Sequence, residues 1–238
     1  MGRRPYGVLV ALSLAAAGCG SDGEGASDGP FCKGRTAGHL LCADFDEGPV
    51  ESGWDSLDLR SGGTIDTVTE PVRSSPNAAL VRASADARAV AYLVKTLQGP
   101  VTQVHVAFDL RVESAGNGDS GATILKLETS AGHQVTFNVN NAGDALGCSG
   151  AEFVAGAEPS SVVCATPLSM ATWTRVDIEA NYAEGSGYVV IRVGGRSEAL
   201  VELPLHASLG TTFGVALGVR TYVGGGRWQV AFDNVTID

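Results

Sequence analysis

The sequence of 238 residues lacks most of the short motifs that identify enzymes. It has no Cys-x-x-Cys pair, no Cys/His cluster with zinc spacing, no Gly-x-Ser-x-Gly and no phosphate-binding loop. These absences argue against a zinc site, a catalytic thiol, a serine hydrolase and a nucleotide site. Basic residues are also scarce, since 16 Lys and Arg against 26 Asp and Glu give a net charge of −10. Because such a surface repels a phosphate backbone, we expect no nucleic-acid partner.

Long apolar runs are absent except near the start of the chain. Arg3 and Arg4 precede an apolar run over residues 8–17, and small residues and a cysteine follow it, which is the pattern of a secretory signal. The run is too short for a transmembrane helix, which needs about 20 residues. We therefore predict that residues 1–18 are a signal peptide.

The stretch LAAAGC, which ends at Cys19, resembles the lipobox of bacterial lipoproteins. The resemblance implies that Cys19 is lipidated and that the membrane is a partner through this anchor, whereas an ordinary secretory signal is the alternative. Residues 19–30 contain no large apolar side chain and are predicted to form a flexible tether of roughly 20 Å. We expect an exported protein that is lipid-anchored to the bacterial cell envelope. Gly20 after Cys19, instead of an aspartate, resembles the sorting signal of some bacterial lipoproteins and implies the outer membrane.

Only five cysteines occur. If one carries lipid, an even number remains, and in an exported chain this argues for disulfides. Three connectivities are possible. We favour the local one, Cys32 with Cys42 and Cys148 with Cys164, because each pair brackets a short polar stretch.

Helical periodicity is almost absent, whereas strict alternation of apolar and polar residues is frequent. The stretch VHVAFDLRVE (104–113) is the clearest example, and HQVTFNVN and WTRVDIEA repeat it. Further strands are predicted near 64–69, 78–83, 88–96, 122–128, 187–193, 198–203, 212–221 and 227–237. About a dozen short strands without helical crossovers predict an all-β protein, a two-sheet antiparallel β-sandwich or jelly roll, as one domain over residues 31–238.

Four segments carry a resemblance to a known superfamily: LCADFDEGPVESGWDS, SSPNAAL, TWTRVDIEA and the final WQVAFDNVTID. Together they resemble the concanavalin A-like lectin/glucanase superfamily, in the laminin-G-like or carbohydrate-binding-module style. The resemblance implies two curved antiparallel sheets and a saccharide ligand on the concave face. Because this fold hosts many functions, it does not by itself identify one.

Asp233 and Asn234 interrupt the alternation of the last predicted strand. A β-bulge there would return Val235 and Ile237 to the core face. In modules of the resembled style, an acidic residue of an "F-E-x-G"-like motif and an Asp of a "D-D/N-V" motif bind a structural calcium ion. The resemblance therefore implies Ca2+ as cofactor and Asp46 and Asp233 as its ligands. The alternative is that both carboxylates accept hydrogen bonds from backbone N–H groups.

The candidate carbohydrate-binding residues are polar side chains expected on one sheet face, together with two tyrosines near predicted loops that could stack on a sugar ring. They are His105, Asp109, Arg111, Asn138, Asn140, Tyr182 and Tyr222. A plain solvated sheet face is the alternative.

Glycoside hydrolysis requires two carboxyl groups about 5 Å or about 6.5–9.5 Å apart. Laminarinase-like relatives in the resembled superfamily supply them from one strand as Glu-x-Asp-x-Glu, and no such run occurs here. The nearest set combines Asp109, Glu113 and Glu128, with His105 as a possible proton carrier. We therefore assign no catalytic residue.

The interpretation that we favour from the sequence is a membrane-anchored, non-catalytic module that binds polysaccharide or another glycan. One alternative is a polysaccharide-cleaving glycosidase or lyase, which a basic residue such as Lys126 or Arg111 near His105 and a carboxylate in one groove would favour. The other is a structural envelope or adhesion protein without a small ligand.

Overall fold

The computed structural model describes residues 31–33, 38–86, 88–99, 101–118, 120–142, 145–164, 167–183, 187–195, 201–204, 212–223 and 226–238. The predicted signal peptide, the tether and Cys19 lie outside these residues. The described residues include no helix long and apolar enough to cross a membrane.

The described residues form β-strands joined by turns and loops. The strands are β1 (Leu41–Ala43), β2 (Ser56–Arg60), β3 (Thr64–Val68), β4 (Ala78–Ala83), β5 (Val90–Gln98), β6 (Gln103–Ser114), β7 (Ser120–Thr129), β8 (Gln134–Asn141), β9 (Leu146–Phe153), β10 (Ser160–Val163), β11 (Thr174–Asn181), β12 (Tyr188–Val193), β13 (Val201–Pro204), β14 (Thr212–Val223) and β15 (Trp228–Ile237).

These strands form two antiparallel sheets. Sheet A has the order β13-β12-β11-β6-β15-β4-β3, and β1 pairs with the C-terminal part of β15 beyond the end of β4. Sheet B has the order β10-β9-β8-β7-β14-β5-β2. The predicted all-β, two-sheet sandwich is therefore confirmed.

The core lies between the two sheets and follows the predicted alternation. Phe108 on β6 and Phe232 on β15 are fully buried and pack edge to face, with 5.8 Å between ring centroids. Phe137 on β8 and Phe213 on β14 belong to the same cluster from the other sheet. Alternate residues of each strand thus point inward, and the outer face of each sheet is left for polar side chains.

The bulge predicted in the last strand is present. The register between β15 and β6 shifts between Asp233 and Thr236, and Asn234 has a positive φ of 51°. Val235 and Ile237 are consequently fully buried in the core. The bulge therefore keeps the C-terminal end of β15 in contact with the other sheet.

Both disulfides have the predicted local connectivity. Cys32 pairs with Cys42, and Cys148 pairs with Cys164. The first joins the segment before β1 to β1 itself, and the second joins β9 to the segment after β10. Each bond closes a short loop, as expected for a chain that folds in an oxidising compartment.

Candidate functional site

A groove runs across the outer face of sheet B. It consists of two cavities of about 550 and 410 Å³ that share Tyr92, Lys126, Arg220 and Tyr222. The remaining side chains that line it include Asp58, Arg60, Arg88, Thr123, Gln134, Thr136, Asn138 and Phe153. We refer to this surface as the groove.

Strand pairing aligns one row of the groove across five strands. Asn138 on β8 is opposite Thr123 on β7, and Thr123 is opposite Arg220 on β14. Arg220 is in turn opposite Val90 on β5, which pairs with Arg60 on β2. Four strand spacings separate the ends of the row, which corresponds to about 19 Å. The groove is therefore long enough for an extended ligand lying across the strands.

Irregular pairing at the centre of sheet B shapes the groove. The register of β7 shifts between Thr123 and Leu125 against β8, so that Ile124 is an extra residue. The side chains of Ile124 and Leu125 are both buried in the core, whereas those of Thr123 and Lys126 line the groove. The bulge thus brings Thr123 and Lys126 to the same face although three positions separate them.

The adjoining strand β14 requires a glycine at this point. The register between β14 and β7 shifts between Leu217 and Arg220. Gly218 lies within this shift with a φ of 155°, and a Cβ placed there would be 2.0 Å from the carbonyl oxygen of Ala91. A side chain at position 218 would therefore push β5 away from β14.

A chain of hydrogen bonds joins the buried polar groups of the groove. The Tyr92 hydroxyl donates to the carbonyl oxygen of Thr123 at 3.2 Å, and Thr123 Oγ1 donates to Asn138 Oδ1 at 2.9 Å. Asn138 Nδ2 then donates to Thr136 Oγ1 at 3.0 Å. Burial raises the pKa of Tyr92, so its phenol is a neutral donor at ordinary pH. The network fixes these side chains in one arrangement.

Tyr222 is the accessible phenol of the groove. It is 41% exposed, and its hydroxyl donates to Asn140 Oδ1 at 2.5 Å. Gly121 lies beneath the ring, since a Cβ at that position would be 2.4 Å from the Tyr222 hydroxyl oxygen. Partial burial raises the pKa of Tyr222 above its ordinary value. A ligand in the groove can therefore reach a phenol that another side chain holds in place.

The acidic side chains in and beside the groove have basic partners. Lys126 Nζ is 2.6 Å from Glu128 Oε2, and Gln134 also donates to Glu128. Although burial acts to raise the pKa of Glu128, the hydrogen bond from Lys126 and its charge hold that pKa below the usual value. Asp58 accepts two hydrogen bonds of 2.7 Å from Arg60.

Two guanidinium groups of the groove, by contrast, form no direct ion pair, although the charge of Arg220 contributes to lowering the pKa of Glu128. Among the described residues, the side chains of Arg88 and Arg220 form no hydrogen bond and no ion pair, and both line the larger cavity. In a protein of net charge −10, these two guanidinium groups make the groove locally more positive than the rest of the surface.

The two acidic residues of this region are far apart. Asp58 is opposite Tyr92 on β5, whereas Glu128 is opposite Gly214, which is opposite Thr96 on β5. Four residues along the strand and three strand spacings across the sheet correspond to about 20 Å. This separation is about twice the largest carboxyl spacing of glycoside hydrolases.

The predicted carbohydrate-binding residues divide between the two faces of the sandwich. Asn138, Asn140 and Tyr222 lie together at the groove. His105 and Asp109 lie on β6, on the outer face of sheet A. The expectation that these residues share one sheet face was therefore wrong.

The residues on sheet A have structural partners. His105 contacts Asp177 at 3.4 Å and Asp238 at 3.3 Å. Asp109 accepts a hydrogen bond of 2.7 Å from Asn234 Nδ2, and Arg111 is paired with Glu113. The alternative of a polar outer face without a ligand fits this group of side chains.

Tyr182 does not form a sugar-stacking platform. Its side chain is 4% exposed and packs edge to face against His133 and Phe213. The prediction from its position near a loop was wrong, because the chain turns inward there and Tyr182 covers the end of the core.

The candidate catalytic set is likewise separated. Asp109 and Glu113 lie on sheet A, whereas Glu128 lies on sheet B. These carboxylates cannot act on one sugar, because the core separates the two outer faces. Sequence reasoning missed Arg220 and Phe153. The alternation in GVRTYV would have placed Arg220 on the same face as Tyr222.

The side chain of Asp233 is fully buried and holds a neighbouring loop. Its Oδ2 accepts hydrogen bonds of 2.8 Å from the backbone N–H groups of Arg73 and Ser74. Its Oδ1 accepts from the backbone N–H of Asn234 at 2.8 Å. Ser74 Oγ is 3.2 Å from Asp233 Oδ1 but only 2.7 Å from Asn234 Oδ1, to which it donates its single proton. Three backbone N–H groups therefore hold this carboxylate.

Asp46 holds the same loop, because its Oδ1 accepts a hydrogen bond of 2.8 Å from the backbone N–H of Asn77. Its Oδ2 is buried without a partner. The described residues contain no group of three or more His, Cys, Asp or Glu placed to hold a metal ion. Calcium binding by Asp46 and Asp233 stays a prediction from the sequence. The carboxylates fit the alternative, in which they satisfy backbone N–H groups.

No protein-family model matches the sequence, and a comparison with curated proteins finds no match. Among solved structures, the chain is similar to an endo-β-1,4-glucuronan lyase from the fungus Trichoderma reesei, with a TM-score of 0.63 and 15% identity over 84% of this chain and 94% of that chain. An endo-1,3-β-glucanase from Streptomyces sioyaensis has a TM-score of 0.55 and 10% identity over 84% and 95% of the two chains. The alginate lyase AlgAT5 of polysaccharide lyase family 7 has a TM-score of 0.52 and 10% identity over 84% and 92%.

These likenesses, together with the two-sheet topology, show that the chain has the concanavalin A-like jelly-roll fold. The fold resemblance predicted from the sequence is therefore confirmed. Identities of 10–15% show the fold alone. The chemistry of the groove has to indicate the ligand.

Proposed function

We propose that the protein is a polysaccharide-cleaving enzyme that acts on a uronate polysaccharide by β-elimination in the groove. The observation that carries this proposal is a pair of guanidinium groups, Arg88 and Arg220, that form no direct ion pair among the described residues and lie beside the accessible phenol of Tyr222. The named activities of the three similar structures are glycan cleavage. This supports the glycan-cleaving alternative better than the non-catalytic module favoured from the sequence.

The charge of the groove supports an acidic substrate. A guanidinium binds a carboxylate through two parallel N–H···O bonds, which fixes both position and orientation. Arg220 lies at the centre of the groove, between Thr123 on β7 and Val90 on β5. A uronate unit supplies a carboxylate that can contact this cation directly, which a neutral glucan does not.

The arrangement of acidic groups supports elimination over hydrolysis. A glycosidase needs two carboxyl groups flanking one bond. Asp58 and Glu128 are about 20 Å apart by strand geometry, and each is held in an ion pair. Elimination needs no such pair. It needs a base near the carbon next to the carboxylate and a cation that stabilises the resulting negative charge.

In the proposed reaction, Tyr222 is first the base and then the acid, and Arg220 is the stabilising cation. The phenolate oxygen of Tyr222 takes the proton from C5 of the uronate while Arg220 stabilises the carboxylate and the charge that spreads onto it. The electron pair of the C5–H bond forms the C4=C5 double bond, and the C4–O4 bond breaks. Tyr222 then returns the proton to the departing O4. Asn140 Oδ1 accepts the hydrogen bond of the neutral phenol that exists after Tyr222 has taken the C5 proton.

The compartment is consistent with this substrate class, because two disulfides support an exported protein. Lipidation of Cys19 and attachment to the outer membrane stay predictions from the sequence. A lipid anchor would place the enzyme at the envelope, where extracellular polysaccharides reach it.

The test incubates the full-length protein with glucuronan and with alginate and follows the ultraviolet absorbance of the C4=C5 double bond. Tyr222→Phe should lower kcat by about 10²-fold or more, as for the loss of a general acid–base group. Arg220→Gln should lower kcat/KM by roughly 10- to 150-fold, which corresponds to one charged hydrogen-bonded contact of about 1.5–3 kcal/mol. Arg82→Gln, on the exposed face of sheet A, is the matched control.

The pH dependence gives an independent readout. The phenolate is the reactive form, and burial raises the pKa of Tyr222 above its ordinary value. The rate should therefore rise with pH into the alkaline range. New reducing ends without the double-bond absorbance would identify a hydrolase instead, and binding without any cleavage would restore the non-catalytic module.

A further inference from the structure

The two ends of the groove differ in chemistry. At one end, on β9, the ring of Phe153 lines the smaller cavity. At the other end, Arg88 lies just before β5 and lines the larger cavity. Strands β14, β7 and β8 separate β5 from β9 in sheet B, so the two ends are at least about 19 Å apart. One ligand that reaches both ends must contain several sugar units.

Phe153 is an aromatic ring without a place in the core. It is 40% exposed, whereas Phe108, Phe137, Phe213 and Phe232 are buried between the sheets. Its strand pairs it with Gln134, which also lines the cavity. An exposed ring beside polar amide groups offers the apolar face and the hydrogen bonds that an uncharged sugar face requires.

At the Phe153 end, each acidic or basic side chain that the structure describes has a partner. Glu128 lies opposite Gln134 on the neighbouring strand β7 and accepts hydrogen bonds from both Lys126 and Gln134. Contacts with the Phe153 ring and with Gln134 are therefore uncharged, although Lys126 and Arg220 line the more central part of the same cavity.

The Arg88 end has the opposite character. Arg60 is neutralised by Asp58, whereas the Arg88 guanidinium lines the cavity without a direct ion pair among the described residues; the Asp86 carboxylate lies in the same turn. The backbone N–H of Arg88 donates to Asp86 Oδ1 at 2.8 Å, which fixes the turn and leaves the guanidinium toward the cavity. An anionic unit is favoured at this end and gains little at the other.

We propose that the groove contains two subsites of different specificity: a charge-independent stacking subsite at Phe153 and an anion subsite at Arg88. This inference rests on the proposed function, since it assumes that the groove binds a polysaccharide. It assigns the substrate class more narrowly. The enzyme accepts a neutral or an acidic sugar at the Phe153 end and requires a uronate at the Arg88 end, which suits a polysaccharide of mixed composition.

The experiment compares two matched probes by isothermal titration calorimetry. One is a hexamer of β-1,4-linked glucuronic acid, and the other is the hexamer of β-1,4-linked glucose, in which each carboxylate is replaced by a hydroxymethyl group. The full-length Tyr222→Phe variant is the background, so that the acidic hexamer is not consumed. Phe153→Ala and Arg88→Gln are then added singly, with Val163→Ala and Arg82→Gln as exposed controls.

Phe153→Ala should raise the Kd of both hexamers by the same factor, about two- to tenfold, because stacking on a ring does not depend on charge. Arg88→Gln should raise the Kd of the acidic hexamer alone, by about two- to fivefold at low salt, and the effect should shrink as salt screens the charge. The controls should leave both values unchanged.

Three outcomes overturn the subsite proposal. They are an unchanged Kd for both hexamers in Phe153→Ala, an equal loss for both hexamers in Arg88→Gln, and a loss in Phe153→Ala that is confined to the acidic hexamer. If any of these occurs while the wild-type protein still eliminates glucuronan, the proposed function stands and the subsite proposal alone falls. If the background variant binds neither hexamer and the wild-type protein cleaves no uronate, both fall.

Discussion

Gly218 offers a direct test of how the centre of sheet B shapes the groove. A Cβ at this position would be 2.0 Å from the carbonyl oxygen of Ala91 and 2.9 Å from Tyr92 Cα, both on β5. Gly218→Ala therefore forces β5 and β14 apart, at a cost of about 1–3 kcal/mol for overpacking. The φ of 155° adds about 1–3 kcal/mol for a residue with a side chain.

We expect a total loss of about 3–5 kcal/mol, which lowers the Tm by roughly 6–20 °C in a domain of this size. Thermal melts and urea denaturation measure this loss. Movement of β5 also displaces Tyr92, and a displacement of about 1 Å in an active site can cost about 10²-fold in rate. The activity toward glucuronan should therefore fall more than stability alone explains.

Gly214→Ala on the same strand is the matched control. Its Cβ would be 3.7 Å from the carbonyl oxygen of Glu128, which is an ordinary contact. This variant should unfold within about 1 kcal/mol of the wild-type protein. If the two variants melt within about 2 °C of each other, the close approach of β14 and β5 at Gly218 does not exist in solution, and the assigned shape of the groove is wrong.

Two further predictions concern sheet A. Asp233→Ala leaves three backbone N–H groups without their acceptor and should lower the free energy of unfolding by about 3–5 kcal/mol. If the carboxylate only satisfies these groups, the loss of Tm is the same in calcium and in chelator. A calcium-dependent rise of the wild-type Tm that this variant abolishes would instead support the calcium site. The hydrogen bond to Asp177, and then that to Asp238, raises the pKa of His105 above 6.5, although burial opposes this. The stabilisation of the folded state by protonated His105 is thus complete below about pH 6.5 and is lost as pH rises through the raised pKa. His105→Gln should flatten the dependence of Tm on pH between about pH 6 and pH 8, and an unchanged profile would contradict the assigned contacts.

Much of the fold could be predicted because its signals are local. Alternation in VHVAFDLRVE follows from the two-residue period of a strand, and the buried Val104, Val106 and Phe108 agree with it. The bulge at Asp233 was predictable because Val235 and Ile237 would otherwise face water. Strands β9 and β10 were missed, since LGCSGAEF has two glycines and little alternation. Pairing with β8, and not the intrinsic preference of these residues, makes this segment a strand.

The site was harder to predict, because alternation shows which residues point outward but not which of the two outer faces they occupy. His105 and Asn138 both alternate with core residues, yet β6 belongs to sheet A and β8 to sheet B. The assignment of strands to sheets depends on pairings between residues far apart in the chain. One strand exchanged between the sheets would move every polar side chain that it carries to the opposite surface.

Irregular pairing made the centre of the groove harder still to predict. Arg220 and Tyr222 share a face by simple alternation, so the sequence contains this pair. Thr123 and Lys126 are three positions apart, and strict alternation would place them on opposite faces. They line the same groove only because Ile124 is an extra residue in β7. The bulge and Gly218 lie side by side in neighbouring strands, and they bring Arg220 opposite Thr123. The features that make this surface suitable for an anionic sugar are therefore the ones that break the pattern from which the rest of the fold is predicted.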